Sequence, residues 1–311
     1  MTKIFIDGRE GTTGLRIYDR LASREDIELI ILKEEDRKNP EKRKEAINSS
    51  DISFLCLPDA AAIEAEEMCE NPNTVIIDTS TAHRTTPGWA YGFPEIDAEH
   101  LQQIKDSKRI AVPGCHASGY VALVYPLVKA GILSEDSLLT CHSITGYSGG
   151  GKKMIAEYQS EERCELLDAP RQYGLSQQHK HLKEMKALTG IAPIFSPIVS
   201  DFYSGMVMTV PVFKEQLTKG KTMQDIKDVY KNLYTSEIVM YSEDITDLNA
   251  GAMISGAGMA RKDSMRISVF GNEDRILLVA QYDNLGKGAS GAAIQCLNIK
   301  MGADEKKGLE L

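Results

Sequence analysis

Lys3-Ile4-Phe5-Ile6-Asp7 runs into Gly8-Arg9-Glu10-Gly11-Thr12-Thr13-Gly14 and then into Leu15-Arg16-Ile17-Tyr18-Asp19-Arg20-Leu21. A short apolar run meets three evenly spaced glycines and then an amphipathic segment, which is the order strand, tight turn, helix. Glycine at such a turn lets backbone approach a pyrophosphate, and the helix start offers free N–H groups and a favourable dipole. The spacing is Gly-x-x-Gly-x-x-Gly rather than Gly-x-Gly-x-x-Gly. What points to a dinucleotide is therefore its place at the first strand-helix junction, against the plainer reading of a turn in an unrelated α/β protein. Gly8, Gly11, Thr12, Thr13 and Gly14 are the candidate cofactor-binding residues.

The pattern continues outward. Strand-like runs at Ile27 to Leu32, Ile52 to Leu57, Thr74 to Asp78 and Arg109 to Pro113 alternate with polar or helical stretches such as Ala60 to Cys69. Strands alternating with helices predict a Rossmann-type doubly wound parallel sheet. Beyond about residue 118 the strands lengthen: Leu138 to Thr145, Met206 to Phe213, Ser264 to Asn272 and Ile276 to Tyr282, with a helix over Met223 to Tyr234. We therefore expect an α/β chain with a dinucleotide-binding domain over 1–117, rejoined by a C-terminal helix over 284–311. An α+β second domain is expected over 118–283.

Composition narrows the function. The 311 residues are 42% hydrophobic and 26% charged, a globular balance. A net charge of −9 argues against non-specific nucleic-acid binding. There is no 18-residue apolar run and no signal-peptide pattern at the start, so we expect no membrane association and a cytoplasmic location. Six cysteines without a Cys-x-x-Cys pair suit reduced thiols, and the histidines show no recognisable metal-ligand spacing, so no metal is expected.

Of those thiols, Cys115 in Val112-Pro113-Gly114-Cys115-His116-Ala117-Ser118-Gly119 stands where a strand-turn feeds a helix, a position that favours thiolate. Cys56 and Cys296 lie in apolar segments and read as buried. His116 is next to Cys115, but adjacent helical side chains do not face each other, so it is a poor choice of base. His179-Lys180-His181-Leu182-Lys183-Glu184 supplies two imidazoles for acid/base work, or simply exposed histidines at a helix start. Asp78 to Arg84 closes a strand at the edge where parallel sheets bind ligands, and Arg84 suits a carboxylate or phosphate. Ser148-Gly149-Gly150-Gly151-Lys152 and Asp283-Asn284-Leu285-Gly286-Lys287-Gly288 are further turn-rich candidates, with capping or turn chemistry as the alternative. The run Leu32-Lys33-Glu34-Glu35-Asp36-Arg37-Lys38 holds acids suited to NAD and cations, Lys33 and Arg37, suited to NADP, and does not decide between them.

Together these motifs resemble the N-acetyl-gamma-glutamyl-phosphate reductase family in its shorter form, over essentially the whole chain. The resemblance rests on Gly8 to Gly14, Asp78 to Arg84, Tyr91-Gly92-Phe93-Pro94-Glu95, Pro113-Gly114-Cys115, His179 to Glu184 and Asp283 to Gly288. It implies NADPH-dependent reduction of N-acetyl-glutamyl 5-phosphate to the 5-semialdehyde and phosphate, in arginine biosynthesis, through a thioester on Cys115. It implies His179 or His181 as acid/base, with His179 preferred, and Glu184 orienting an imidazole. Ser80 and Arg84, with Ser148 and Gly150, would bind substrate. Asn284 would contact the nicotinamide carboxamide, with Gly149 beside the cofactor. It further implies a homotetramer or homodimer. Lys183 and His116-Ala117-Ser118 depart from the longer-type pattern, which has proline at the first place and a tyrosine and proline sequence at the second. The rivals are an aspartate-semialdehyde dehydrogenase-like enzyme, a dinucleotide-sensing regulator without turnover, and a cysteine hydrolase, which would leave the glycine turn without a job.

Overall fold

A computed structural model describes residues 1–246 and 253–311, in two units that each carry their own sheet. The first unit comprises Met1–Pro94, Ala98–Gly114 and Ala289–Leu309. Along it run β1 (Thr2–Asp7), α1 (Thr12–Leu21), β2 (Ile27–Ile30), α2 (Pro40–Ser49), β3 (Ile52–Leu55), α3 (Asp59–Glu67), β4 (Val75–Asp78), β5 (Ala90–Tyr91), α4 (Ala98–Asp106) and β6 (Arg109–Ala111). The strands pair in the order β2-β1-β3-β4-β6-β5, every pair parallel.

Side-chain alternation along these strands feeds two cores. Ile4, Ile6, Phe54, Ile77 and Ile110 pack with Ile17 and Leu21 of α1 and with Ala292, Ala293 and Leu297 of the helix Gly291–Met301. Phe5, Leu55 and Ile76 pack with Ala46 and Ile47 of α2 and Ala62 and Ala65 of α3. Both faces are thus covered, as a parallel sheet requires. Local signals set the helix starts: Asn39 caps α2, its side chain accepting from the Glu41 N–H at 3.0 Å, and Pro40 follows at the first helical position.

The second unit comprises Glu95–Asp97, Cys115–Gly288 and Glu310–Leu311. It holds α5 (Cys115–Lys129), β7 (Thr140–Gly146), α6 (Gly151–Gln159), β8 (Arg171–Gln172), α7 (Lys180–Thr189), β9 (Ile194–Ser200), β10 (Met206–Phe213), α8 (Met223–Leu233), β11 (Val239–Tyr241), β12 (Met265–Gly271) and β13 (Arg275–Tyr282). Its mixed sheet runs β11-β12-β13-β10-β7-β9-β8. α5 lies against β10 and β13, and α7 and α8 pack beside α5. The opposite face leaves Ile144, Ile194, Phe213 and Leu277 exposed.

The split falls after Gly114 rather than after 117, because α5 begins at Cys115 and packs on the second sheet. The expected C-terminal helix is shorter than 284–311: a π-turn over Gly286–Ser290 leads into Gly291–Met301, and Gly302 in the left-handed region ends it. Strand β9 is absent from the sequence reading, and its interior Pro197 has no N–H to give the sheet. The structure accommodates it by using its carbonyl, which accepts from the Tyr173 N–H at 3.0 Å.

A buried ion pair underlies the first turn. Arg43 of α2 reaches Asp7 at the end of β1, its Nε 3.0 Å from Oδ2, with both residues under a tenth exposed. Burial pushes the Asp7 carboxyl up despite this partner. Arg43→Met should therefore leave a buried carboxylate without its cation and cost about 3–5 kcal/mol in urea unfolding at neutral pH. A loss within 1 kcal/mol would count against that role.

Candidate active site

Cys115 is the first residue of α5, a helix of 15 residues. The helix start favours thiolate there. Three contacts register this end of the helix. The Tyr282 hydroxyl donates to the Cys115 carbonyl at 2.6 Å. A side chain at Gly119 would strike that same hydroxyl and Met208, so glycine lets α5 come down close on β10 and β13. At Gly288 a Cβ would lie 2.9 Å from that of Cys115, so glycine also keeps space beside this thiol. The other thiols differ: burial pushes Cys56 up to about 12 and raises Cys141, Cys296 is buried, and Cys164 is exposed.

His179 and His181 are brought to this helix end. His116 packs its ring 5.5 Å from each of them, and their own rings are 4.8 Å apart. His179 caps α7, its Nδ1 accepting the His181 N–H at 3.3 Å. It is half-buried, and that burial lowers its pKa, with the Lys180 charge adding to the effect. His181 and Glu184 are buried on α7. His116 itself is tied at both nitrogens, Nδ1 to Ser143 Oγ at 2.7 Å and Nε2 to Tyr173 Oη at 2.6 Å. Burial, with His179 nearby, holds its pKa down to about 3, so it stays neutral at working pH. Tyr173 is absent from the sequence reading. Nothing local marks it, since its role comes from the pairing of β8 with β9.

Asn284 follows β13. Its Nδ2 donates to Ser148 Oγ at 3.0 Å and its Oδ1 accepts the Gly205 N–H at 2.9 Å; Gly149 lies alongside. The turn is held by Asp283, fully buried, which accepts from Ser204 Oγ at 2.6 Å and from the N–H groups of Leu285 and Gly286 at 2.7 and 2.9 Å. Lys287, also buried, places Nζ 2.8 Å from both Glu95 oxygens. Gly150 precedes α6 as its N-cap.

In the first unit a cavity of about 610 Å³ opens at the ends of β1 and β3, where chain order reverses across the sheet. Gly8, with φ +83°, faces the Cys56 carbonyl so closely that any side chain would overlap it, and a Cβ on Gly14 would sit 2.5 Å from the Gly8 carbonyl. Only backbone fits this cradle, and Thr12 and Thr13 open α1 above it. The residues therefore suit a pyrophosphate. Ile30, Ile31, Leu32, Leu57, Pro58 and Ala61 give the cavity apolar walls. Arg37 lines it, whereas Lys33 caps the short 3₁₀ turn Glu34–Asp36, is exposed and does not.

After β4, Asp78 accepts from the Ser80 N–H and hydroxyl at 2.8 and 2.7 Å and pairs with His83 Nδ1 at 2.7 Å. Arg84 donates to the carbonyls of Val112 and Thr79 at 2.8 and 3.0 Å. Ser80 and Arg84 thus shape their own loop. Among the described residues no cluster suited to a metal ion is found, and no helix is long and apolar enough to cross a membrane.

Two family models match: the semialdehyde dehydrogenase NAD-binding domain over residues 29–104 and the semialdehyde dehydrogenase dimerisation domain over 115–284. Solved structures agree on the fold. A probable aspartate-semialdehyde dehydrogenase from Pseudomonas aeruginosa superposes with TM-score 0.70 at 16% identity, covering 96% of this chain and 98% of that one. Aspartate semialdehyde dehydrogenase with NADP from Candida albicans gives 0.66 at 15%, covering 96% and 98%. The two family models together define a semialdehyde dehydrogenase. N-acetyl-gamma-glutamyl-phosphate reductases of Rhizobium meliloti and Sinorhizobium fredii are 43% and 42% identical, each covering 97% of this chain and 99% of theirs. The chain belongs to the N-acetyl-gamma-glutamyl-phosphate reductase family.

Alkylation followed by peptide mass mapping checks the nucleophile. At pH 7 iodoacetamide should label Cys115 and the exposed Cys164 while Cys56, Cys141 and Cys296 resist. Cys115 should be labelled faster than Cys164 although Cys164 is the more exposed, since a helix start favours thiolate.

Proposed function

We propose that the protein reduces N-acetyl-glutamyl 5-phosphate to N-acetylglutamate 5-semialdehyde and phosphate, with NADPH as reductant. The observation that carries this reading is a cysteine at the start of a buried helix whose next residue packs against the His179–His181 pair. The names of the relatives supply the substrate, and a cytoplasmic, biosynthetic setting belongs to the same proposal.

The Cys115 thiolate attacks the acyl carbon, the carbon–oxygen bond to phosphate breaks, and phosphate leaves with that electron pair. The product is a thioester on Cys115. Gly8, Gly11, Thr12, Thr13 and Gly14 would hold NADPH, which would supply the hydride that the acyl carbon needs. The carbon–sulfur bond then breaks, releasing aldehyde and regenerating thiolate, with no net proton consumed in the collapse. What the protein must provide at each stage is a donor to the oxygen that gains charge. His179 suits this: with Nδ1 accepting a backbone N–H, its neutral ring carries its proton on Nε2. His181 and Glu184 hold the start of α7 behind it. Ser80, Arg84, Ser148 and Gly150 are assigned to the substrate's polar groups, and Gly149 and Asn284 to the nicotinamide side.

The reverse reaction is the direct assay: N-acetylglutamate semialdehyde, phosphate and NADP, followed by absorbance of the reduced cofactor. Phosphate-dependent reduction should fall at least 10³-fold in Cys115→Ala, the scale expected when a covalent nucleophile is removed. Turnover of aspartate semialdehyde alone would replace the substrate, and binding of NADP without turnover of either would favour a sensor. Depression of the His179 pKa keeps the working neutral form present below the usual value of about 6.5. The acid limb of kcat/KM should accordingly lie below pH 6.5.

We further propose that copies of the chain associate through the open face of the second sheet, as a dimer or as the pair within a tetramer. Ile144, Ile194, Phe213 and Leu277 make it more apolar than a solvated surface needs, and the matching family model is named a dimerisation domain. Leu277→Glu should shift the mass measured by light scattering toward the monomer. An unchanged mass with that charge in place would rule this face out.

A further inference from the structure

We infer that Ser143, His116 and Tyr173 form a hydrogen-bond chain with one fixed direction, which leaves the Tyr173 hydroxyl proton for the acyl oxygen on Cys115. Tyr173 is then a second donor to that oxygen, beside His179. The inference rests on the acyl-transfer reading of Cys115 and deepens it by naming a further group for the oxygen that gains charge.

The chain draws on three elements. Ser143 lies inside β7, His116 in the first turn of α5 and Tyr173 just after β8. His116 Nδ1 is 2.7 Å from Ser143 Oγ, and its Nε2 is 2.6 Å from Tyr173 Oη. Burial keeps this imidazole neutral, so one nitrogen donates and the other accepts. Two directions satisfy that condition. In the first, Ser143 donates to Nδ1, Nε2–H donates to Tyr173, and the Tyr173 proton is left over. In the second, Tyr173 donates to Nε2, Nδ1–H donates to Ser143, and the Ser143 proton is left over.

The surroundings of Ser143 decide between them. Ser143 is fully buried. Its register partners on the neighbouring strands are Met208 and Pro197, whose side chains carry no oxygen or nitrogen. Among the described contacts its hydroxyl meets no polar group other than His116. The second direction therefore strands a buried proton, which costs free energy, while the first pairs every buried donor. Tyr173 is only partly buried, so its proton can be the one left over.

The phenol is also held where that proton is useful. The Tyr173 N–H donates to the Pro197 carbonyl at 3.0 Å, and its ring packs against the cluster of Tyr147, Tyr158, Leu167 and Val199. The same ring stands 5.9 Å from that of His179. Burial pushes the Tyr173 phenol above its ordinary range, and a charge on Cys115 adds to the effect, which puts thiol and phenol within electrostatic reach. A phenol raised in this way donates a hydrogen bond and keeps its proton, so it stabilises the oxyanion without transferring anything to it. His116, the helical neighbour of Cys115, does not face the thiol. It and Ser143 are positioning residues that act through Tyr173.

The reverse assay with N-acetylglutamate semialdehyde, phosphate and NADP tests the chain. Tyr173→Phe keeps the ring and removes the hydroxyl. Its kcat should fall about 10²- to 10³-fold, the range for losing one oxyanion donor, with KM for the semialdehyde within about threefold. Iodoacetamide should still label Cys115 at about the wild-type rate, since the helix start that favours thiolate is untouched. Ser143→Ala no longer enforces the direction and should lower kcat about tenfold in the wild type, yet change nothing in the Tyr173→Phe background. Additive losses, or a Tyr173→Phe kcat within about threefold of the wild type, would overturn the donor role. Nitrogen-15 spectra of histidine-labelled protein, with His116 assigned through His116→Asn, should show its proton on Nε2. A proton on Nδ1 would overturn the chain however slow the variants are. A wild type without phosphate-dependent reduction of NADP would instead sink the acyl-transfer reading, whichever nitrogen carries the proton.

Discussion

The hydroxyl of Tyr282 on the carbonyl of Cys115, at 2.6 Å, is the contact from which the catalytic unit takes its register. It fastens the first residue of α5 to the end of β13, and Gly119 one turn later lets helix and strand approach without a side chain between them. Burial pushes the Tyr282 phenol far above its ordinary range, so at no working pH does it lose the proton that makes this bond. With the helix start fixed, His116 falls where Ser143 and Tyr173 can hold both its nitrogens, and its ring becomes the surface against which His179 and His181 rest. Cys115 and the two imidazoles are thus positioned through Tyr282, Ser143, Tyr173 and His116.

The second constraint is polar. Buried donors and acceptors cost free energy unless paired, so a buried turn full of them has few arrangements open to it. The Asp283 carboxylate collects Ser204, Arg261, Leu285 and Gly286, and Asn284 ties Ser148 to Gly205. Lys287 and Glu95 add a charged pair below the surface. Such a network leaves the turn beside Cys115 little freedom.

Much of this was legible in the residues themselves. The glycine turn, the parallel strands and the placing of Cys115 at a helix start follow from local pattern, because glycine spacing and apolar runs are local signals. That His179 or His181 serves Cys115 is what the family resemblance implies; the structure packs both imidazoles on His116, the residue after Cys115. Tyr173 and Asp283 as an organiser were not legible, since each depends on partners distant in sequence. Strand β9 was missed although the run Met206 to Phe213, which also holds a proline, was read as a strand. Lys33 and Arg37 look alike in sequence; only the 3₁₀ turn between them separates the one that lines the cavity from the one that does not.

The helix Gly291–Met301 belongs to the first unit although nearly two hundred residues of the second unit precede it. Ala292, Ala293 and Leu297 complete the core around Ile4, Ile6 and Ile17, and Arg24 donates to Asn298 at 2.6 Å across 274 positions of sequence. During synthesis the first sheet therefore emerges long before the last piece of its core. Closure across so long a loop is slow, and meanwhile one face of a parallel sheet stays uncovered. The nucleotide-binding half, first off the ribosome, is the half that must finish last, and until then it is the part of the chain most in need of protection from aggregation.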